Sequence, residues 1–200
     1  SWLRAGLIGT IAYDNGEEIT PSTHTTPGPL ELEHLLKEMY ENGCRGVSME
    51  VSSHALDQER VAGINFNVGI FTNLTQDHLD YHHTMENYFQ AKAKLFEQMA
   101  QDTRSRRKPV AVINIDDAYG RRLAEMVQNF RGNRRRQRGL PKVYAFELGL
   151  HQLVALRLEQ ITTGARAQGG KNPLVVVVDG GHGGDRGRAV HTQPGDQRGG

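Results

Sequence analysis

Between residues 29 and 42, Leu32, Leu35, Leu36 and Met39 fall at i, i+3, i+4 and i+7, with Pro29 and Glu31 at the start and Gly43 just past the end. That spacing predicts an amphipathic helix with both ends signalled. The period then changes to two. In GVSMEVS, residues 46–52, Val47, Met49 and Val51 alternate with Ser48, Glu50 and Ser52, the pattern of a strand that hides one face and delivers polar groups to its end. Two shorter runs, NVGIFTN at 67–73 and PVAVINI at 109–115, are apolar throughout and predict strands covered on both faces. Helical periodicity fills the intervals at roughly 84–100 and 117–130. Strands alternating with helices at this spacing predict an α/β fold with a mostly parallel sheet flanked by helices, its sites at the carboxyl ends of the strands. The segment from Glu50 to His54 and the loop from Asn73 to His83 are both expected there.

The character changes after Phe130. RGNRRRQR at 131–138 carries no interleaved aromatic residue to stack on bases and reads as a solvated basic loop rather than a nucleic-acid site. KVYAF and LVALRLEQI, between 142 and 161, read as strands. Beyond Gly164 the chain is rich in Gly, Arg, His, Asp and Gln, interrupted only by Leu174–Val178, a composition that buries little. GARAQGGKN at 164–172 fails the spacing of a phosphate loop, because Gly170 stands where the lysine belongs and Asn172 where serine or threonine does. The expected organisation is one domain over 1–162 and a disordered or frame-shifted tail over 163–200.

Composition excludes more than it assigns. With 24 basic and 23 acidic residues among 200, the formal charge is +1, too small to draw in nucleic acid or an anionic membrane through a global field. No apolar run approaches the ~20 residues needed to span a bilayer, and no signal-peptide pattern is present. The single cysteine, Cys44, excludes an internal disulfide framework and suits a reducing compartment, so a cytoplasmic location is expected.

Within the helix at 84–100, Met85, Tyr88, Phe89, Lys92, Leu95, Phe96 and Met99 form one apolar stripe with Lys92 at its centre. At 100° per residue Lys94 points almost the opposite way and reads as an ordinary solvent lysine. An inward ammonium costs several kcal/mol unless paired or neutralised, so Lys92 either pairs, snorkels or has a chemical role. Glu50, at a strand end beside Ser52, could hold Mg²⁺ or make an ordinary ion pair or cap. For His78 chemistry alone leaves a general base, a zinc ligand or a structural histidine. Asp77, His78, Asp80, His82 and His83 together invite a metal-hydrolase reading, but HLDYH lacks the glutamate of the metalloprotease signature. Thr25 and Thr26, just ahead of the first helix, are candidates for an N-cap, an anion site or both. The Arg60 guanidinium could grip a phosphate or carboxylate with two prongs.

The runs MEVSSHALDQERV and FTNLTQDHLDYHHTMENYFQAKAKLF closely resemble the central ATPase domain of the Mur ligases, nearest to the tripeptide synthetases of peptidoglycan assembly. The resemblance runs from about Gly6 to Phe130 and more faintly to Gln160. It implies a P-loop NTPase-like fold, here without its phosphate-loop segment, and a chain that is a fragment starting at Ser1, inactive alone. It also implies an enzyme that uses ATP to convert the glutamate carboxylate of UDP-N-acetylmuramoyl-L-alanyl-D-glutamate into an acyl phosphate. The amine of diaminopimelate or lysine then displaces phosphate and forms an amide. By the same resemblance Glu50, His78 and Lys92 hold magnesium, Lys92 after carbamylation by carbon dioxide, which makes it a catalytic residue. Thr25, Thr26, Ser52, Gln58 and Arg60 contact the UDP-sugar-dipeptide; Gln58 is singled out by nothing else. Where this chain has His82 followed by His83, the family more often has His followed by Gly. The rivals are a related ligase such as folylpolyglutamate or cyanophycin synthetase and a non-catalytic module that binds a UDP-sugar.

Overall fold

The computed structural model describes residues 4–76, 78–101, 108–130, 142–146 and 174–179, the last two segments as backbone. Its strands are β1 (Ala5–Ile8), β2 (Ala12–Asp14), β3 (Ile19–Pro21), β4 (Gly46–Glu50), β5 (Val68–Phe71), β6 (Val110–Asn114), β7 (Lys142–Phe146) and β8 (Leu174–Asp179). The helices are α1 (Pro29–Glu41), α2 (Ser53–Asp57), α3 (Leu79–His82), α4 (Met85–Gln101) and α5 (Ala118–Asn129). Among the described residues the strands form one sheet in the order β3-β2-β1-β4-β8-β5-β6-β7. The run from β1 to β7 is parallel at every pairing. Antiparallel pairing is confined to the meander β1-β2-β3, which the sequence reading did not anticipate because its strands are only three or four residues long.

The register puts Gly6, Ile8, Val47, Met49, Gly69, Phe71, Ala111 and Ile113 on one face. A side chain on Gly6 would strike the Sδ of Met39 in α1, and one on Gly69 would strike Met99 and Phe96 in α4, so glycine lets both helices settle closely on that face. Leu32 and Met39 from α1, Phe89, Leu95 and Phe96 from α4, and Leu123 and Val127 from α5 join the face in a single apolar core. The α1 stripe ends as its pattern requires. Cys44 N donates to Met39 O at 2.8 Å and Gly43 N to Tyr40 O at 3.1 Å, with Gly43 at φ +84°, a Schellman closure that needs glycine at the left-handed position.

Three sequence expectations change. Leu174–Asp179 does not belong to a loosely attached tail: it is β8, hydrogen-bonded between β4 and β5 in the middle of the sheet. Its unbroken Leu-Val-Val-Val-Val run is the composition of a parallel strand with neighbours on both sides. The expected loop from Asn73 to His83 contains the one-turn helix α3. The N-cap of α1 is Gly28, with no side-chain cap bond, so neither Thr25 nor Thr26 caps it. The basic run 131–138, the strand expected at 153–161 and the rest of the 163–200 segment lie outside the described residues.

His83 sits at φ +66°, ψ −37°, and Thr84 N donates to His82 O at 2.8 Å across it. That is a γ-turn of the strained hand, which penalises any Cβ. His83 is exposed, so trimming its side chain loses little packing. His83→Gly is expected to stabilise the chain by about 1 kcal/mol, the relief of strain exceeding the added backbone entropy of glycine. Urea denaturation checks this: the midpoint should rise at constant slope, whereas an unchanged or lower midpoint would mean that the turn is unstrained.

Candidate functional site

A cleft of about 310 Å³ opens at the carboxyl end of β4, lined by His24, Thr25, Thr26, Glu50, Val51, Ser52, Ser53, His54, Arg60, His78 and Lys92. Three chain reversals build it. The first is the passage from β4 to α2, where Ser52 is the N-cap and its Oγ accepts from Ala55 N at 3.2 Å. The second leads from β5 to α3, where His78 adopts a left-handed φ of +55° as the residue before the helix. The third follows β3 and brings Thr25 and Thr26 back over the end of β4. Lys92 enters from α4, 2% exposed, with its Nζ 5.9 Å from the centroid of the Tyr88 ring.

The hydroxyl of Thr26 is fully engaged in holding this arrangement. It donates to Glu50 O at 2.9 Å and accepts from Ser52 N at 3.0 Å, stitching the third reversal to the first. Thr10, in the turn after β1, performs a similar service for the Glu50 side chain. Its Oγ1 donates to Glu50 Oε2 at 2.5 Å, and its backbone N–H reaches the same oxygen at 3.3 Å. Thr10 Oγ1 also lies 3.1 Å from Thr25 Oγ1. Nothing in the local sequence around Thr10 flagged it, because the contact spans forty positions.

Arg60 is held by three bonds. Its Nε and Nη2 both donate to Gln58 Oε1, at 2.9 and 2.6 Å, and its Nη1 donates to Thr26 O at 3.0 Å. Gln58 is therefore beside the cleft rather than in its lining, a support for Arg60. Lys94 corrects the reading of a plain solvent lysine: its Nζ pairs with Asp57 Oδ1 at 2.6 Å, both side chains remaining about half exposed.

The histidines form a cluster of their own. His54 packs 5.1 Å from His78 and 4.2 Å from Tyr81, and His82 stacks on Tyr88 with 5.2 Å between centroids. Burial, and secondarily the neighbouring imidazole of His78, pushes the pKa of His54 below its ordinary value. His82 is pushed down in the same way, by burial first and then by His54. Both are neutral near pH 7, so His82 meets Ser53 Oγ at 2.9 Å as a neutral partner. Among the described residues no three of His, Cys, Asp and Glu are placed to hold a metal ion, and Asp77 lies outside them.

The donors that face the cleft test a magnesium ion directly. Glu50 offers a carboxylate whose Oε2 already accepts from Thr10, His78 offers a nitrogen, and Lys92 as an ammonium would repel the ion. Hard Mg²⁺ prefers oxygen. The set fits it once Lys92 carries an anionic oxygen, and does not fit it otherwise.

Residues 2–137 match the family model described as the Mur ligase middle domain. The chain is 53% identical over 127 residues to a UDP-N-acetylmuramoyl-L-alanyl-D-glutamate--2,6-diaminopimelate ligase of Geobacter metallireducens, covering 60% of this chain and 24% of that protein. Proteins of the same name from Aquifex aeolicus and Gloeobacter violaceus are 50% identical over 123 residues and 54% over 119, covering 62% and 60% of this chain and 24% and 23% of theirs. The chain thus spans about a quarter of the length of the curated relatives it matches. Its matched residues take in the first six strands and all five helices among the described residues, and the chain belongs to the Mur ligase middle-domain family.

Proposed function

We propose that this domain serves an ATP-dependent ligase that joins 2,6-diaminopimelate to UDP-N-acetylmuramoyl-L-alanyl-D-glutamate, in the cytoplasm, as a step of peptidoglycan synthesis. The observation that carries the reading is the convergence of Thr25, Thr26, Glu50, Ser52, Arg60, His78 and Lys92 on one cleft, together with relatives named for that reaction. Diaminopimelate is preferred to lysine on those names. The P-loop NTPase-like character of the sheet belongs to the same proposal. No described helix is long and apolar enough to cross a membrane, and no membrane or nucleic-acid partner is proposed.

Each residue then has a task that its surroundings suit. Arg60, already oriented by Gln58 and Thr26, binds a carboxylate or phosphate of the nucleotide-sugar. Ser52, its oxygen accepting from the α2 backbone, keeps its O–H free to donate to the same ligand. Glu50, His78 and carbamylated Lys92 would hold Mg²⁺, which supplies charge neutralisation between ATP and the carboxylate being activated. The carbamate would form by attack of the Lys92 amine nitrogen on CO₂ with loss of a proton, leaving an anionic oxygen at the buried end of the side chain. With about a quarter of the relatives' length present, the chain is proposed to bind substrate without completing the reaction alone.

The test loads the chain with ¹³C-bicarbonate. A carbamate carbon resonance is expected from the wild type and not from Lys92→Met, and titration with UDP-N-acetylmuramoyl-L-alanyl-D-glutamate should perturb amide signals at Ser52 and Arg60. Absence of both responses would sink the proposal. Nucleotide-sugar binding without a carbamate would favour a non-catalytic UDP-sugar-binding module.

A further inference from the structure

Arg60 starts a chain of donated hydrogen bonds that runs through Gln58 and Tyr81 and ends on Asp57, where a lysine of another helix also donates. Lys94 Nζ, on α4, donates to Asp57 Oδ1 at 2.6 Å, and Tyr81 OH, on α3, donates to Asp57 Oδ2 at 3.0 Å. Because the Tyr81 hydroxyl spends its proton on Asp57, it is free to accept, and Gln58 Nε2 lies 3.4 Å away as the donor. That contact fixes the orientation of the Gln58 amide. Its oxygen must face Arg60, where it accepts from Nε and Nη2; the flipped amide would set donors against donors. The order Gln58 to Tyr81 to Asp57 has one self-consistent direction, terminated by a carboxylate. The Asp57 carboxyl is held below its ordinary range by the bonds from Lys94 and Tyr81, so it is an anion whenever the protein is near neutral pH.

We propose that Tyr81 and Asp57 are positioning residues: through Gln58 they lock the Arg60 guanidinium toward the cleft and couple it to α4, the helix that also carries Lys92. The purpose of the lock rests on the reading of Arg60 as the group that binds the nucleotide-sugar anion. A free arginine samples many rotamers, and ordering it on binding weakens affinity. Here three of its five N–H donors are satisfied before any ligand arrives. The others remain for a carboxylate or phosphate. The chain turns back sharply at Glu59, φ +56°, which brings Arg60 alongside Gln58. Stability is a poor explanation of the network, because the Lys94–Asp57 pair is half exposed and such pairs contribute at most about 1 kcal/mol.

Tyr81→Phe isolates the hydroxyl. The ring stays, with its contacts to His54 at 4.2 Å and His82 at 4.8 Å. In the intact 200-residue chain, without ligand, the ¹⁵N–¹H signal of Arg60 Nε should be dispersed, slow to exchange and rigid. In Tyr81→Phe and in Asp57→Asn it should become mobile and exchange faster, while the melting temperature stays close to that of the wild type. Affinity for UDP-N-acetylmuramoyl-L-alanyl-D-glutamate should fall by about tenfold, the loss expected from one ordering contact. An Arg60 Nε signal equally rigid in both variants would overturn the proposal. If the signal loosens in the variants but the wild type binds no nucleotide-sugar, the positioning role stands and the substrate reading of Arg60 fails.

Discussion

Gly120→Ala is expected to destabilise the chain by about 3 kcal/mol, although helix propensity alone predicts a gain of about 1 kcal/mol. Gly120 is the third residue of α5, and its N–H donates to the capping carboxylate of Asp117 at 2.8 Å. A Cβ built there would lie 1.8 Å from Asn114 O and 2.9 Å from Asn114 C. Those atoms are backbone, so no flexible side chain can move aside. Asn114 is also tied down, its Nδ2 donating to Thr72 O at 2.8 Å and its Oδ1 accepting from Asp116 N at 3.0 Å. Relief therefore requires either lifting the first turn of α5 from its cap or pulling the end of β6 from β5. Denaturant unfolding measures the result, with the midpoint falling. A variant as stable as the wild type would show that α5 approaches β6 less closely than the geometry requires.

That contact illustrates which parts of the fold the sequence exposes. Helices α1 and α4 were legible because their apolar stripes repeat over thirteen and seventeen residues, long enough for the period to outweigh accident. Strands β4, β5 and β6 were legible from alternation or from unbroken apolar runs. The meander β1–β3 was not, since three or four residues carry no measurable period. β8 was misread for a different reason: its apolar run was noticed, but its composition-poor surroundings outweighed it, and nothing local reveals that Leu174–Asp179 pairs with β4 and β5. Gly120 reads as a helix-weakening residue until Asn114 is seen beneath it.

The cleft divides in the same way. Glu50 and Lys92 stood out through pattern, one at a strand end and the other in an apolar stripe, and Arg60 through its chemistry. Thr25 and Thr26 stood out through their place just ahead of a helix, whereas the substrate roles of Ser52 and Gln58 and the magnesium role of His78 drew on the family resemblance. Seven of these eight residues line one cleft, and Gln58 stands behind Arg60. Thr10, Tyr81 and Asp57 were not found. Their partners lie 40, 24 and 37 positions away, and a hydroxyl or half-exposed carboxylate gives no signal until the fold supplies its neighbour.

Thr26→Val should cost about 2–3 kcal/mol, whereas Thr26→Ser should cost about 1 kcal/mol. The side chain is 1% exposed, and valine keeps its shape while removing the hydroxyl that bridges Ser52 N and Glu50 O. Serine keeps the hydroxyl and loses a methyl group. The ordering of the two variants therefore separates a hydrogen-bonding role from a packing role. It also separates two accounts of Thr26 in binding. If its hydroxyl served chiefly as a ligand contact, valine would leave the melting temperature unchanged and weaken only the nucleotide-sugar. As a stitch between the loop after β3 and the end of β4, it controls where Glu50 and Ser52 stand. It also sets the carbonyl that receives Arg60 Nη1 at 3.0 Å. Valine should thus lower stability and weaken UDP-N-acetylmuramoyl-L-alanyl-D-glutamate binding together, by tenfold or more for a loss of about 1.4 kcal/mol in binding free energy. Serine should retain most of both. Equal losses in stability for the two variants would assign the residue to packing instead.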